Sequence, residues 1–192
     1  MQSSLFEESV VSTESVAELN AELSEKGRLR YPKRTFILGT GPPDADIVVV
    51  GESPGPQDVS TGKPFSGPAG DLLVRILAAI DVKFQNCYLT NVVKFIPQGE
   101  EISRAEITFF TPFLHREIFA VSPRLLILLG NTPAKAVLAS KTPITQLRGQ
   151  LLDFHGIKTI ATFNPAYVLR DPTKKREVWE DMKLARDLLA AT

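Results

Sequence analysis

The strongest constraint on this chain is an alternation. Four short apolar runs, 47–50, 87–93, 125–129 and 158–163, are separated by stretches with helical spacing. The first and third carry no polar residue, which marks strands buried on both faces. Between the first two runs, Leu72, Leu73, Ile76, Leu77 and Ile80 share one side of a helix predicted over 69–80. Helices are also predicted over 104–121, 132–138 and 173–189. A further one over 13–27 has Val16, Leu19 and Leu23 in step and Gly27 as its stop. Strands alternating with helices demand right-handed crossovers and a parallel sheet covered on both faces. The expected fold class is therefore α/β, a three-layer α/β/α sandwich with a central four-stranded parallel sheet.

Ligands of such sheets bind beyond the carboxyl ends of the strands. Here those ends are Gly51-Glu52-Ser53, Asn91, Gly130-Asn131 and Asn164, so these residues should share one rim. Glu52 enters the sharp turn Ser53-Pro54-Gly55, and Asp58 follows six residues on. Alone, Glu52 is a solvated loop carboxylate; paired with Asp58 it suits water activation or stabilisation of a developing cation. Residues 54–70 form a long predicted loop, a length that usually has a task. Its Phe65 either joins the core or offers a face to a flat ring. Asn91 and Asn164 each hold a donor and an acceptor side by side, and each could equally form a turn. Beyond Asn164 come Pro165, Ala166, Tyr167, Leu169 and Arg170, then Lys174, Lys175 and Arg176 at a helix start. Cations there oppose the helix dipole, so phosphate binding or a solvated face must explain them.

Composition narrows the class further. At 192 residues one domain with a sizeable core is expected, residues 1–43 being a helix and connection packed on a unit spanning 44–192. The stretch from Arg28 to Asp44 is first basic, then rich in Gly and Pro, as a surface connection would be. No apolar run approaches the ~20 residues of a membrane helix, and Glu7, Glu8 and Glu14 are unlike a signal peptide. A cytoplasmic protein is expected, monomeric and without a membrane partner. The 22 basic and 22 acidic residues cancel, so a nucleic-acid surface would have to be local. A lone cysteine, Cys87, rules out an internal disulfide and an all-cysteine metal site. The turn GESPG lacks the glycine pattern of a pyrophosphate-binding loop, which disfavours a dinucleotide binder.

In order along the chain, VVVGESPGPQD, TGKPFSGPAGDLL, LTNVVKFIP, LLILLG and NPAYVLRDPTKKREVWEDM resemble the motifs of the uracil-DNA glycosylase superfamily, most closely its family 4. The resemblance runs from about Asp44 to Leu189. It implies a DNA glycosylase of bacterial or archaeal type, nucleoid-associated in action, that hydrolyses the bond between a flipped-out deaminated base and deoxyribose in base excision repair. Uracil is the first expectation. Hypoxanthine, which presents the same adjacent carbonyl and N–H, xanthine and a non-catalytic binder of damaged or single-stranded DNA are the alternatives. Glu52, Asp58 and Asn164 would take catalytic places, and Gly51, Ser53, Phe65 and Asn91 would hold the base. Residues 165–170 would form the loop that enters the DNA duplex, with Lys174, Lys175 and Asn131 on the DNA as well.

The chain departs from the family pattern in two ways. Family 4 holds an iron-sulfur cluster on four cysteines, but Phe95 stands where one is expected, and the following helix offers Phe109 and Phe110. Thiolates are the ligands such clusters need, so no cofactor and no metal are expected. The second departure is Asn164, which stands in place of the second-motif histidine and leaves substrate choice open.

Overall fold

The computed structural model describes residues 14–99 and 101–191. Expectations for 1–13 lie outside the described residues. The elements in order are α1 (Val16–Arg30), β1 (Ile47–Gly51), α2 (Pro56–Thr61), α3 (Pro68–Ala78), β2 (Cys87–Asn91), α4 (Arg104–Val121), β3 (Leu125–Leu129), α5 (Asn131–Leu138), α6 (Ile144–Leu147), β4 (Leu152–Phe154), β5 (Ile157–Thr162), α7 (Pro165–Arg170) and α8 (Lys175–Ala190). Among the described residues no helix is long and apolar enough to cross a membrane.

The sheet has the order β2-β1-β3-β5-β4, parallel except at its last edge. β1, β2 and β3 are buried at every position, as the uninterrupted apolar composition of β1 and β3 requires, while β2 buries its polar end, Thr90 and Asn91, as well. The chain leaves β1 toward β2 on one side and returns from β2 to β3 on the other. That reversal opens a crevice at the carboxyl end of β1, and right-handed crossovers send α3 and α4 to opposite faces. Accordingly α3, α7 and α8 pack together, while α1, α4 and α5 form the other layer.

The α/β sandwich is as expected, with one more strand than the four predicted. β4 is three residues long and antiparallel to β5. His155 and Gly156 join the two strands with φ of 50° and 85°. Two consecutive positive φ angles make a primed hairpin turn, which a His-Gly pair signals only weakly. The predicted 54–70 loop also needs correction, because it contains α2. Pro56 opens this helix, Gly62 closes it at φ 72°, and Asp58 caps the Gly55 N–H. Residues 165–170 are likewise helix rather than loop, started by Pro165 after Asn164. Gly27 is not a stop either. It is buried inside α1, where a Cβ would lie 2.6 Å from the Phe36 ring, so the glycine serves close packing.

One polar cluster lies in the core between β2 and α4. Glu117 accepts from Tyr88 at 2.8 Å, from Thr90 at 3.0 Å and from the Lys94 ammonium at 2.6 Å. Lys94 has no exposed side-chain surface and Glu117 has 2%. Burial and the Glu117 charge push the Tyr88 hydroxyl well above the usual phenol range, which keeps it a donor. Removing one partner of a buried pair leaves the other charge uncompensated, at about 3–5 kcal/mol. Lys94→Met should therefore lower the urea midpoint by that equivalent. A loss below about 1 kcal/mol, the worth of a surface pair, would contradict this account.

Candidate active site

The carboxyl ends of β1, β2 and β5 border a cavity of about 180 Å³. That is below the roughly 300–1,000 Å³ of pockets for drug-sized ligands, and suits a single flat ring. Glu52, Asp58, Phe65, Asn91 and Asn164 all line it, as do Ser53 and Ala166. The sequence thus named five residues, distant along the chain, that share one cavity.

Gly51 sits at its base. A Cβ there would lie 2.3 Å from Asn91 Oδ1 and 2.7 Å from Phe65 Cζ, so the bare backbone lets amide and ring approach. Phe65 occupies the left-handed region at φ 58°, a conformation a bulky residue rarely adopts. Gly70 accommodates it, since a Cβ there would overlap the Phe65 carbonyl. Strain of this kind persists only where the surroundings over-determine it, and it gathers at functional sites.

The two carboxylates differ in their commitments. Asp58 is buried, and its oxygens accept from the backbone N–H of Gly55 at 2.9 Å and of Ser66 at 2.7 Å. It clamps both ends of the segment that carries Phe65. Glu52 is half-buried, and among the described residues its carboxylate makes no hydrogen bond or ion pair, so it is open to the cavity.

The amides differ in the same way. Asn91 is 3% exposed, and its buried Nδ2 has no hydrogen-bond partner. Asn164 is the N-cap of α7, with Oδ1 accepting from the Ala166 N–H at 2.8 Å. Its Nδ2 donates to the Leu129 carbonyl at a long 3.3 Å, and the amide has a second N–H to offer. Asn164 is a turn former and a cavity residue together.

Below Asn164 lies an ion network that the sequence did not reveal. Arg148 holds Asp181 through contacts of 3.1 and 2.8 Å, and the Thr162 hydroxyl donates to Asp181 at 2.6 Å. Burial pushes the Asp181 carboxyl above its usual range, while Thr162 and Arg148 pull it back. Arg148 also lies over the Phe163 ring. The end of β5 is thereby fixed from beneath. The partners are 14 to 33 residues apart in sequence, so no local spacing announced them.

On α7, Pro165 and Val168 are buried, while Ala166, Tyr167, Leu169 and Arg170 are exposed. Lys175 is exposed, but Lys174 is paired with Glu177 at 2.8 Å and lies over the Phe163 ring. Asn131 stands apart from the cavity lining, its Oδ1 accepting from the Ile144 N–H.

The residues present do not fit an iron-sulfur cluster. Phe95, Phe109 and Phe110 pack with Tyr31 and Phe36, ring centroids 4.9 to 6.2 Å apart. Carbon rings offer no ligand. Cys87 is buried at the opposite end of β2, its thiol pushed up to about 12 by burial. Among the described residues no His, Cys, Asp and Glu group could hold a metal ion.

A sequence model of the uracil DNA glycosylase superfamily matches residues 38–183, and the chain belongs to that family. It is similar to the Type-4 uracil-DNA glycosylases of Thermotoga maritima and Archaeoglobus fulgidus. The first is 33% identical over 84% of this chain and 86% of the relative. The second is 31% identical over 83% and 85%. A DNA polymerase of Bacillus phage SP01 is 29% identical over 80% of this chain, which spans 17% of the polymerase.

The different commitments of Asp58 and Glu52 have a measurable consequence. Asp58→Ala leaves two backbone donors without their acceptor and should lower stability by about 1–3 kcal/mol in urea denaturation. Glu52→Gln, which disturbs no bond, should stay within about 0.5 kcal/mol of the parent. Equal losses in the two variants would refute the distinction.

Proposed function

We propose that the chain is a monofunctional DNA glycosylase that removes uracil from DNA by hydrolysis of its N-glycosidic bond. The observation that carries this reading is the orphan Nδ2 of Asn91, buried at the base of a ring-sized cavity. Buried donors without partners are rare in folded proteins, and an amide aimed at an absent ligand accounts for this one.

The base reaches the cavity by rotating out of the duplex, which costs a few kcal/mol. Phe65 stacks on its face. Asn91 donates through Nδ2 to the uracil O4 and accepts from N3–H, a pairing that a cytosine N4 amine would oppose. As the bond from C1′ to N1 lengthens, the sugar becomes cation-like and negative charge grows on the base, notably at O2. Glu52 faces the cation and orients or deprotonates the water that adds to C1′. The free N–H of Asn164 donates to O2, a neutral contact of oxyanion type. Asp58 acts through the segment it clamps, keeping Phe65 in its left-handed conformation. Outside the cavity, Tyr167 and Leu169 fill the space the base leaves, and Arg170 and Lys175 contact phosphates. Neither histidine enters this chemistry: His115 bonds the Ala136 carbonyl and His155 lies in the β4–β5 turn. No step needs a metal or a cluster.

Oligonucleotides bearing uracil, hypoxanthine or xanthine, assayed for alkali-labile abasic sites, test the reading. Cleavage of the uracil strand is expected to exceed the others. Asn91→Ala and Asn164→Ala should each reduce the rate by on the order of 10²–10³. Glu52→Gln should slow cleavage while leaving or improving DNA binding, since it removes a charge that DNA disfavours. Full activity in Asn91→Ala and Glu52→Gln would place the chemistry elsewhere.

The aromatic packing around Phe95 generates a separate expectation. Purified protein should be colourless, carry no stoichiometric iron, and keep its melting temperature in a chelator. Visible absorbance with about four irons per chain, the content of such a cluster, would overturn it.

A further inference from the structure

A second charged surface shares the rim with the cavity, and the proposed reaction leaves it unused. Residues 31–40 run antiparallel to the chain leaving β2. Thr40 exchanges two backbone hydrogen bonds with Leu89, and the Ile37 N–H donates to the Lys94 carbonyl at 2.6 Å. As β2 advances to Asn91 and on to Phe95, this segment retraces it and carries Arg34 past the strand end. The Arg34 guanidinium lies 5.2 Å from the centre of the Phe95 ring. The Arg30 guanidinium lies 5.8 Å from the centre of the Tyr31 ring. Arg30 and Arg104 line one shallow depression with Phe109, which packs edge-on against Tyr31. Two guanidinium groups thus lie over the aromatic cluster and Arg104 borders it beside Phe109, with Lys33 exposed in the same segment as Arg34.

These cations are unpaired. Among the described residues none of Arg30, Lys33, Arg34 and Arg104 forms an ion pair, whereas Lys94, Arg116, Arg148 and Lys174 all do. The nearby acids do not change this: the Glu106 carboxylate is held by the Ser103 cap, and Glu101 makes no ion pair with them. In a chain whose formal net charge is zero, such a group is a local field. A guanidinium stacked on a ring is held in plane with its donors outward, the geometry for bidentate contact with phosphate.

We infer that Arg30, Arg34 and Arg104, on their floor of Tyr31, Phe95 and Phe109, form a shelf for the phosphate backbone of DNA flanking the extruded base. The inference rests on the proposed glycosylase reading for the identity of the strand. Phe95 lies four residues beyond Asn91, so DNA seated over the cavity passes the shelf on the β2 side, opposite α7. The rings that stand in place of cluster ligands therefore gain a task, because they orient the guanidinium groups.

Fluorescence anisotropy of a labelled duplex containing uracil, titrated across salt concentrations, tests the shelf. Arg30→Gln, Arg34→Gln and Arg104→Gln combined should weaken binding for every sequence alike. The slope of log affinity against log salt should flatten by about 0.9 for each phosphate that is no longer neutralised. Cleavage at saturating DNA should stay near the parental rate. Arg34→Gln alone should flatten the slope by about one such step, and covers the case in which the triple variant fails to fold. A folded variant with an unchanged slope overturns the shelf, as does one that instead loses binding to polyglutamate with DNA affinity intact. The two readings fail separately. If the parent excises uracil but the slope is insensitive to the arginines, only the shelf falls. If the slope responds while no modified base is cleaved, the reaction falls and the DNA surface stands.

Discussion

The site depends on an approach that only bare backbone permits. At the end of β1, Gly51 lets the amide of Asn91 and the ring of Phe65 occupy space that any Cβ would take. β1 is flanked by strands on both sides and wholly buried, so its end cannot shift to accommodate an added atom. A strand-end crevice is general to doubly wound sheets. What makes this one specific is that its floor is an unpartnered amide and its wall a ring held at positive φ. Gly70 repeats the device on the other side of Phe65. The ring is therefore placed by two absences of side chain and by the Asp58 clamp on the segment before and after it.

Beneath this constellation, two buried ion networks steady two of the strands that carry its amides. Lys94, Glu117, Tyr88 and Thr90 tie β2 and its continuation to α4. Arg148, Asp181 and Thr162 tie the end of β5 to α8. Buried charge is a costly way to hold a fold, and apolar replacements of equal volume often serve stability as well. Directional bonds do what apolar packing does less well: they fix a strand end in register. The base-reading role proposed for Asn91 needs that accuracy, since a misplacement of about 1 Å costs on the order of 10² in rate.

The aromatic cluster shows how one place in a fold can be held by different means. Family resemblance puts thiolates and a cluster near Phe95; this chain fills the place with Tyr31, Phe36, Phe95, Phe109 and Phe110. Edge-to-face rings join the 31–37 segment, the chain after β2 and α4 through burial rather than coordination. Packing of this kind cannot be removed by a chelator or by oxidation. Arg30 and Arg34 lie over two of these rings, Tyr31 and Phe95.

Much of the fold was legible because the signals are local. The apolar runs of β1 and β3 have no polar residue, and the 3.6-residue spacing of α3 is plain, so the α/β alternation followed directly. The strand ends were legible too, and with them Glu52, Asn91 and Asn164, since a parallel sheet collects its strand ends on one rim. Short elements were not. β4 has three residues and a primed turn of ordinary composition, and α2 and α7 begin at prolines that also open loops. Roles set by partners were beyond reach as well. In sequence Asp58 and Glu52 are two carboxylates of one turn; only the folded chain brings the Gly55 and Ser66 N–H groups to Asp58 and leaves Glu52 free. Gly27 has the look of a stop until Phe36 packs against it. The sequence by itself determined the apolar strands, the apolar side of α3 and which residues end the strands, because those follow from hydrophobic period and chain direction. Tertiary structure decided which polar groups are satisfied and which are left for a ligand, because hydrogen bonds depend on neighbours in space.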